Sequence, residues 1–209
     1  MTMPTPAHDQ FRNSMNLTYD AWHDGEGYDL SAYDRMTVEE KQGVLDELRA
    51  KPRLDWRDME VLAHDNSKLS FDRLRDDLVG YSPEHRAQAL GYLYDMKRMN
   101  DSVFDVNLAR IIDDSTGDGT VHALMRVQER CGARARMALL RGVRDRPDVA
   151  LHFAAALLDL DGLSGDMAAF DPKFRPTLLK LLPDSPKADR EAAQAKIWQW
   201  LKVDPADIK

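Results

Sequence analysis

The sequence predicts an all-α fold, a short α-solenoid of antiparallel helix pairs. Three stretches of similar pattern carry this prediction. Each opens with turn residues and continues as an apolar stripe rich in Ala and Leu, and they begin at Ser82, Gly117 and Arg146. Recurrence at roughly 30–36 residues is typical of stacked helix pairs, because one pair cannot bury its own apolar face. No segment alternates apolar and polar residues for long enough to predict a strand.

Caps and breakers place the helices along the chain. We expect the first helix from Phe11 to Trp22. Thr37 and Glu40 have the spacing of a capping box, which predicts the start of a second helix. Asp55 can cap a third helix in the same way. The remaining helices are expected to begin at or near these positions: Ser70, Pro83, Val103, Thr120, Ala133, Pro147, Phe174 and Pro186.

These elements predict one all-α domain over residues 1–209. Residues 1–66 would form an acidic N-terminal helical cap, residues 67–162 the helix pairs, and residues 163–209 a C-terminal helical cap. Aromatic residues concentrate at both ends of the chain, which is typical of atypical capping units that seal a stack against water.

Composition narrows the class of protein. The chain is 43% hydrophobic and 31% charged, which is typical of a globular protein and not of a disordered one. No apolar run approaches the ~20 residues that span a bilayer, so we expect no membrane partner. The first ten residues lack the basic and apolar regions of a secretory signal, and the single cysteine, Cys131, cannot form an internal disulfide. A cytoplasmic location is therefore expected.

Charge is concentrated at one end. The net charge is −7, and residues 1–48 hold ten acids against three bases. Such a segment disfavours nucleic acid as a partner there and favours a basic one. The alternative is a solvated charged surface that aids solubility.

Residues 126–146 carry seven arginines. A phosphate or nucleic-acid patch would place such residues on one face. However, no aromatic residue interleaves with them as a base-stacking platform requires, and helical spacing spreads them around two helices. We therefore expect them to have structural roles, covering apolar neighbours or pairing between helices.

The segments from Phe71 to Leu160 resemble HEAT-like α-helical repeats. The second-helix pattern of that family appears in Arg146-Pro147-Asp148-Val149 and again in Ser82-Pro83-Glu84, each followed by apolar and small residues. Residues 118–130 depart from it, since they lack the proline. The resemblance implies a helical-repeat fold. Since no cofactor-binding motif appears in the sequence, we expect no cofactor.

The N-terminal segment WHDGEGYDLSAYDRMTVEEK is similar to the start of small bacterial HEAT-like proteins, some of which resemble immunity partners of polymorphic toxins. That resemblance implies inhibition by binding, with an acidic surface meeting a basic toxin. Tryptophan and tyrosine among carboxylates are typical of binding hot spots. The alternative is that these aromatic residues fasten the first helices to the repeats. The candidate partner-binding residues are Asp20, Trp22, Asp24, Glu26, Tyr28, Asp29 and Asp34.

One motif offers an enzymatic alternative. His64-Asp65 is similar to the central motif of HD-type metal-dependent phosphohydrolases, which are also all-α. Such a site needs imidazole and carboxylate ligands to hold a metal that activates water. His23 could be a further ligand. A downstream aspartate could complete the site, and four positions qualify equally: Asp101, Asp105, Asp113 and Asp114.

Two acidic turns and the single cysteine do not predict a metal site or a nucleophile. The acidic turns at residues 113–119 and 159–162 do not fit a calcium-binding loop, because the glycine and oxygen positions do not match. Cys131 follows an apolar helix and is expected to be a small buried residue. The sequence thus predicts no catalytic residue and no metal site. It favours a protein-binding module that acts as an immunity protein or adaptor, with a phosphohydrolase or a structural, oligomerising repeat protein as alternatives.

Overall fold

The computed structural model describes residues 3–16, 25–165 and 167–209, and every regular element in these ranges is a helix. The predicted all-α class is therefore confirmed for this part of the chain. The helices are α1 Pro6–Met15, α2 Leu30–Arg35, α3 Val38–Ala50, α4 Trp56–Asp65, α5 Lys68–Asp76, α6 Pro83–Asp95, α7 Asp101–Asp114, α8 Asp118–Glu129, α9 Ala133–Asp145, α10 Ala150–Leu160, α11 Arg175–Leu178 and α12 Lys187–Leu201. Two 3₁₀ turns lie at Leu179–Leu181 and Pro205–Asp207.

The chain divides into two compact units. Unit 1 comprises the described residues up to Gly80 together with Gly91–Met99. Unit 2 comprises Tyr81–Leu90 and the described residues from Asn100 to Lys209, so α6 contributes residues to both units. The expected arrangement of an N-terminal cap, helix pairs and a C-terminal cap stays a prediction.

An aromatic cluster forms the core where α1 meets α2 in unit 1. Phe11 is fully buried, and its ring centroid lies 5.9 Å from that of Tyr28 and 5.5 Å from that of Tyr33. Helix α3 packs against α4 and α5 through buried Val44 and Leu48. The aromatic residues therefore fasten the first helices to the rest of unit 1.

In unit 1 one predicted helix start is wrong, another differs by two residues, and one helix was not expected. The first helix begins at Pro6 instead of Phe11, because Thr5 accepts a hydrogen bond from the His8 amide and proline fits the first helical position. The fifth begins at Lys68, since Ser67 rather than Ser70 is the N-cap. Helix α2 has only six residues and no strong periodic signal. The predicted part of the first helix at residues 17–22 lies outside the described ranges.

Helices α7 to α10 form the centre of unit 2. Helix α7 packs against α8 and α9, while α10 packs against both α8 and α9. Large side chains fill the space between these helices, including the fully buried Leu108, Leu139, Phe153 and Leu157.

Polar ties show that α7 and α9 run in the same direction. Near the start of α7, the Asp105 carboxylate accepts hydrogen bonds from the amides of Arg134 and Ala135 at the start of α9, both at 2.9 Å. At the other end, the Arg146 guanidinium donates to the carbonyls of Ile112 and Asp113. Because the starts of the two helices lie together and their ends lie together, α7 and α9 run parallel to each other and not antiparallel.

The C-terminal elements pack onto α10. Helix α11 is a single turn followed by the 3₁₀ turn, and together they lie where the sequence predicted a short helical piece from about Phe174. Gln194 of α12 donates to the carbonyls of Val143 and Arg144 at the end of α9, at 2.7 and 3.1 Å. These bonds satisfy carbonyls that the end of a helix leaves without partners.

Candidate functional site

An acidic surface follows the outward side of α3. We define the α3 acidic face by its exposed residues, which recur at helical spacing: Val38, Glu39, Gln42, Gly43, Asp46 and Glu47. The opposite side of the helix carries Val44, Leu45 and Leu48, which are buried. The amphipathic pattern thus directs three carboxylates to solvent.

Of the two bases of α3, Lys41 is turned away from this face, and Arg49 reaches it only at Asp46. Lys41 donates to the Asp34 carbonyl at 2.9 Å and lies over the Tyr33 ring. Arg49 is only 15% exposed and bonds to Asp65 and Ser70. Lys41 therefore pairs with none of the outward carboxylates, and Arg49 pairs only with Asp46.

Two of the three carboxylates have partners but remain accessible. Glu47 lies 2.6 Å from Arg12 and is 47% exposed, and Asp46 lies 3.3 Å from Arg49 and is 65% exposed. Exposed pairs of this kind contribute little stability, so another cation can replace them at small cost. Within the described ranges, the Glu39 side chain has no hydrogen-bond or ion-pair partner.

A network at the start of α3 fixes its position. Thr37 and Glu40 form the predicted capping box, which is confirmed. The Glu40 carboxylate also accepts bonds from the Thr5 amide at 2.7 Å and the Thr5 hydroxyl at 2.9 Å. These bonds, with the Thr5 amide first, lower the pKa of Glu40 to about 2. Because Thr5 precedes α1, this carboxylate joins α1 to α3.

The predicted partner-binding residues fall into three groups. Asp20, Trp22 and Asp24 lie outside the described residues. Glu26 is exposed, which suits a binding residue. Tyr28, Asp29 and Asp34 are described, and each has contacts within unit 1.

Tyr28 lies in the interior of unit 1. Its hydroxyl donates to the Asp58 carboxylate at 3.2 Å, and Lys51 also bonds Asp58, at 2.7 Å. Burial, followed by the nearby Asp58 charge, raises the pKa of Tyr28. The Arg57 guanidinium lies over the Tyr28 ring, 5.3 Å from its centroid. These contacts match the alternative in which the aromatic residues fasten the N-terminal helices.

Asp29 and Asp34 organise α2. Asp29 is the N-cap, and hydrogen bonds from Ser31 and from the Ala32 amide lower the pKa of its carboxyl group. Asp34 lies 2.7 Å from the Nε2 atom of His64, and this hydrogen bond lowers the pKa of Asp34. Both carboxylates therefore have partners within unit 1, although Asp34 is 59% exposed and is as accessible as the paired carboxylates of the α3 acidic face.

The His-Asp motif does not gather metal ligands within the described part of the chain. His64 bonds to Asp34, whereas the Asp65 carboxylate accepts hydrogen bonds from the Ser70 hydroxyl at 2.6 Å and from Arg49. No group of three His, Cys, Asp or Glu residues there could hold a metal ion. His23 lies outside the described residues.

The four downstream aspartates of that hypothesis each contact a neighbouring helix in unit 2. Asp105 binds the start of α9, as described above. The other three form ion pairs, which are Asp101 with Arg130, Asp113 with Arg141, and Asp114 with Arg86.

The expectation for the arginine-rich segment is confirmed, with one exception. Six of its seven arginines form ion pairs with carboxylates: Arg126, Arg130, Arg136, Arg141, Arg144 and Arg146. Three of these pairs join different elements, namely Arg130 with Asp101, Arg136 with Asp161, and Arg141 with Asp113. The exception is Arg134, whose guanidinium has no partner among the described residues.

The two remaining motif residues, Cys131 and Asp159, have structural environments that do not favour chemistry. Cys131 is half-buried, and burial raises the pKa of its thiol to about 11. A thiol with that pKa is a poor nucleophile at neutral pH. In the acidic turn after α10, the Asp159 carboxylate accepts hydrogen bonds from the Ser164 hydroxyl and the Ala168 amide, so it shapes the turn.

Sequence reasoning found the acidic segment but not its outward face. The spacing of residues 39, 42, 43, 46 and 47 after the Thr37 cap would have identified that face, since these positions share one side of a helix.

The fold defines the class of protein as all-α. Comparisons with models of protein families, with curated proteins and with solved structures find no match. Across the described residues, no helix has the length and apolar character needed to cross a lipid bilayer.

Proposed function

We propose that this chain is a non-catalytic protein-binding module that captures a basic protein, as an immunity protein neutralises a toxin or an adaptor recruits a partner. The observation that carries the proposal is the α3 acidic face, on which three accessible carboxylates point outward and, among the described residues, only two of them, Asp46 and Glu47, pair with an arginine. Charge complementarity of this kind steers association and suppresses wrong partners.

We also propose that the helices are arranged as a HEAT-like stack. The parallel sense of α7 and α9 supports this, because successive first helices of such repeats run in the same direction. The packing of α8 against α10 adds the second layer. A stack presents a long surface, which suits recognition of another protein.

The partner itself, a basic toxin or other cationic protein, is identified by affinity capture. The immobilised chain is exposed to a lysate beside a variant with Glu39→Gln, Asp46→Asn and Glu47→Gln. A matched control carries Asp76→Asn, Asp95→Asn and Asp184→Asn, which are exposed carboxylates elsewhere and change the net charge equally. We expect a basic protein that the wild type and the control retain and the α3 variant loses.

The enzymatic alternative provides the opposing outcome. If no protein depends on the α3 acidic face, and the chain with added Mn²⁺ hydrolyses nucleotide phosphates in a way that His64→Ala abolishes, the phosphohydrolase hypothesis replaces this proposal. Light scattering over a range of concentrations would reveal a purely oligomerising role, in which the chain assembles with itself instead of with a partner.

A further inference from the structure

A groove of about 330 Å³ lies between α7 and α9 in unit 2. Apolar atoms of Val106, Ala109 and Met137 contribute to its lining, and arginines extend along it. We call this the α7–α9 groove, lined by Val106, Ala109, Arg110, Asp113, Arg134, Met137 and Arg141. It is distinct from the α3 acidic face, which belongs to unit 1.

Two guanidinium groups of the groove are free. Arg110 and Arg134 are both exposed, and no side chain or carbonyl of the described residues lies within hydrogen-bond distance of either guanidinium. In contrast, Arg141 bonds to Asp113 at 2.7 Å and to the Lys209 carbonyl at 2.9 Å. The one carboxylate in the groove is therefore already neutralised, and the two free arginines give it a positive charge.

The position of Arg134 is held by its backbone. Its amide donates a hydrogen bond to the Asp105 carboxylate, which fixes the first turn of α9. The Arg134 guanidinium takes no part in that bond. Arg110 lies on α7, which the Asp105 and Arg146 ties hold against α9. The two charges thus stand on rigid elements and not on loops, and this keeps their separation constant.

We propose that the α7–α9 groove binds an acidic segment of a partner protein, with two carboxylates on Arg110 and Arg134 and an apolar side chain between them. Guanidinium groups form strong, often bidentate bonds with carboxylates. The apolar lining would remove the intervening side chain from water. Nucleic acid fits less well, because Asp113 would face its phosphates and none of the lining residues is aromatic.

A random twelve-residue peptide library displayed on phage tests this with the full chain. Selections run in parallel against the wild type, against the pair Arg110→Gln and Arg134→Gln, and against Arg53→Gln. Arg53 is the matched control, since it is an exposed arginine outside the groove and without a partner in the described ranges. Circular dichroism confirms that all variants remain helical.

We expect the wild type and the control to enrich peptides with two acidic residues that flank an apolar one. The groove variant should lose that class, and synthetic members should bind it about tenfold or more weakly, because each arginine contributes a charge-assisted bond. The same peptides with Asn and Gln in place of Asp and Glu should not bind the wild type.

The proposal is overturned if no acidic peptides are enriched, or if acidic peptides bind the groove variant as well as the wild type. It is also overturned if a twelve-nucleotide single-stranded nucleic acid displaces the bound peptides at a lower concentration than free peptide does. Basic peptides enriched in the same selection would report on the α3 acidic face instead. Since they are lost with different variants, the two proposals fail separately.

Discussion

At the scale of single residues, Asp105 and Gly132 restrict each other. Gly132 is the N-cap residue of α9 and has no side chain to cap it, so Asp105 of the neighbouring helix supplies the carboxylate. A Cβ atom at position 132 would overlap that carboxylate. The backbone there is extended, with φ of −91°, so the glycine is required by the close approach and not by its own conformation.

This arrangement predicts that the effect of Gly132→Ala on the free energy of unfolding changes sign when Asp105 is removed, which a double-mutant cycle measures. Asp105→Ala should lower the free energy of unfolding by about 1–2 kcal/mol, as loss of an N-cap does. Gly132→Ala should destabilise the wild type but stabilise the Asp105→Ala background by about 0.4–1 kcal/mol, because the overlap is gone and alanine restricts the unfolded chain. Urea denaturation followed by circular dichroism measures all four proteins; simple additivity would contradict this account.

Glu40 makes unit 1 sensitive to acid. Its folded-state pKa of about 2 lies below the ordinary value of 4.5. Because the folded state binds a proton less readily than the unfolded state, the ionised carboxylate stabilises the fold above pH 4.5. This contribution is lost as the pH falls towards 2. In Glu40→Gln, the free energy of unfolding should therefore fall less steeply between these pH values.

The control for Glu40 is its neighbour. Glu39→Gln removes a carboxylate that has no bonding partner among the described residues, so its acid dependence should match that of the wild type. Denaturant titrations at several pH values test both variants. Equal acid dependence in all three proteins would show that the bonds with Thr5 do not form in solution.

At the scale of helices, two interior glycines should respond oppositely to alanine. Gly142 lies where α9 meets α10, and a Cβ atom there would overlap the Phe153 ring. Gly43 lies on the α3 acidic face with open space around it. We expect Gly142→Ala to destabilise by about 1–3 kcal/mol, and Gly43→Ala to stabilise by about 0.5–1 kcal/mol. Thermal unfolding of both variants and the wild type measures these changes in stability. A Gly142→Ala variant that is more stable than the wild type would contradict the close packing of α9 and α10.

Helices with strong local signals were predictable, and helices that depend on neighbours were not. The Thr37 capping box and the Asp55 cap are local, and both form as expected. Helix α2 has six residues, too few for periodicity, and its buried Tyr33 stabilises it through Phe11. The start of α9 likewise depends on Asp105, which lies 29 residues before Arg134.

At the scale of the whole molecule, composition indicated the charge of the candidate surface but not its geometry. The acidic segment was evident, yet Tyr28 and Asp34 lie within a bonded network that sequence spacing does not reveal. The arginine-rich segment was correctly expected to pair. Which arginine would remain free could not be predicted, because that depends on which carboxylates the neighbouring helices bring close.

The most direct measurement of the central claim is the salt dependence of binding to the captured basic partner. We expect the dissociation constant to rise about tenfold or more between 0.05 and 0.5 M salt, because exposed charges are screened over about 10 Å at 0.1 M. The variant with Glu39→Gln, Asp46→Asn and Glu47→Gln should show a much flatter dependence. A dissociation constant that is unchanged by salt, or a variant as salt-sensitive as the wild type, would contradict recognition through the α3 acidic face.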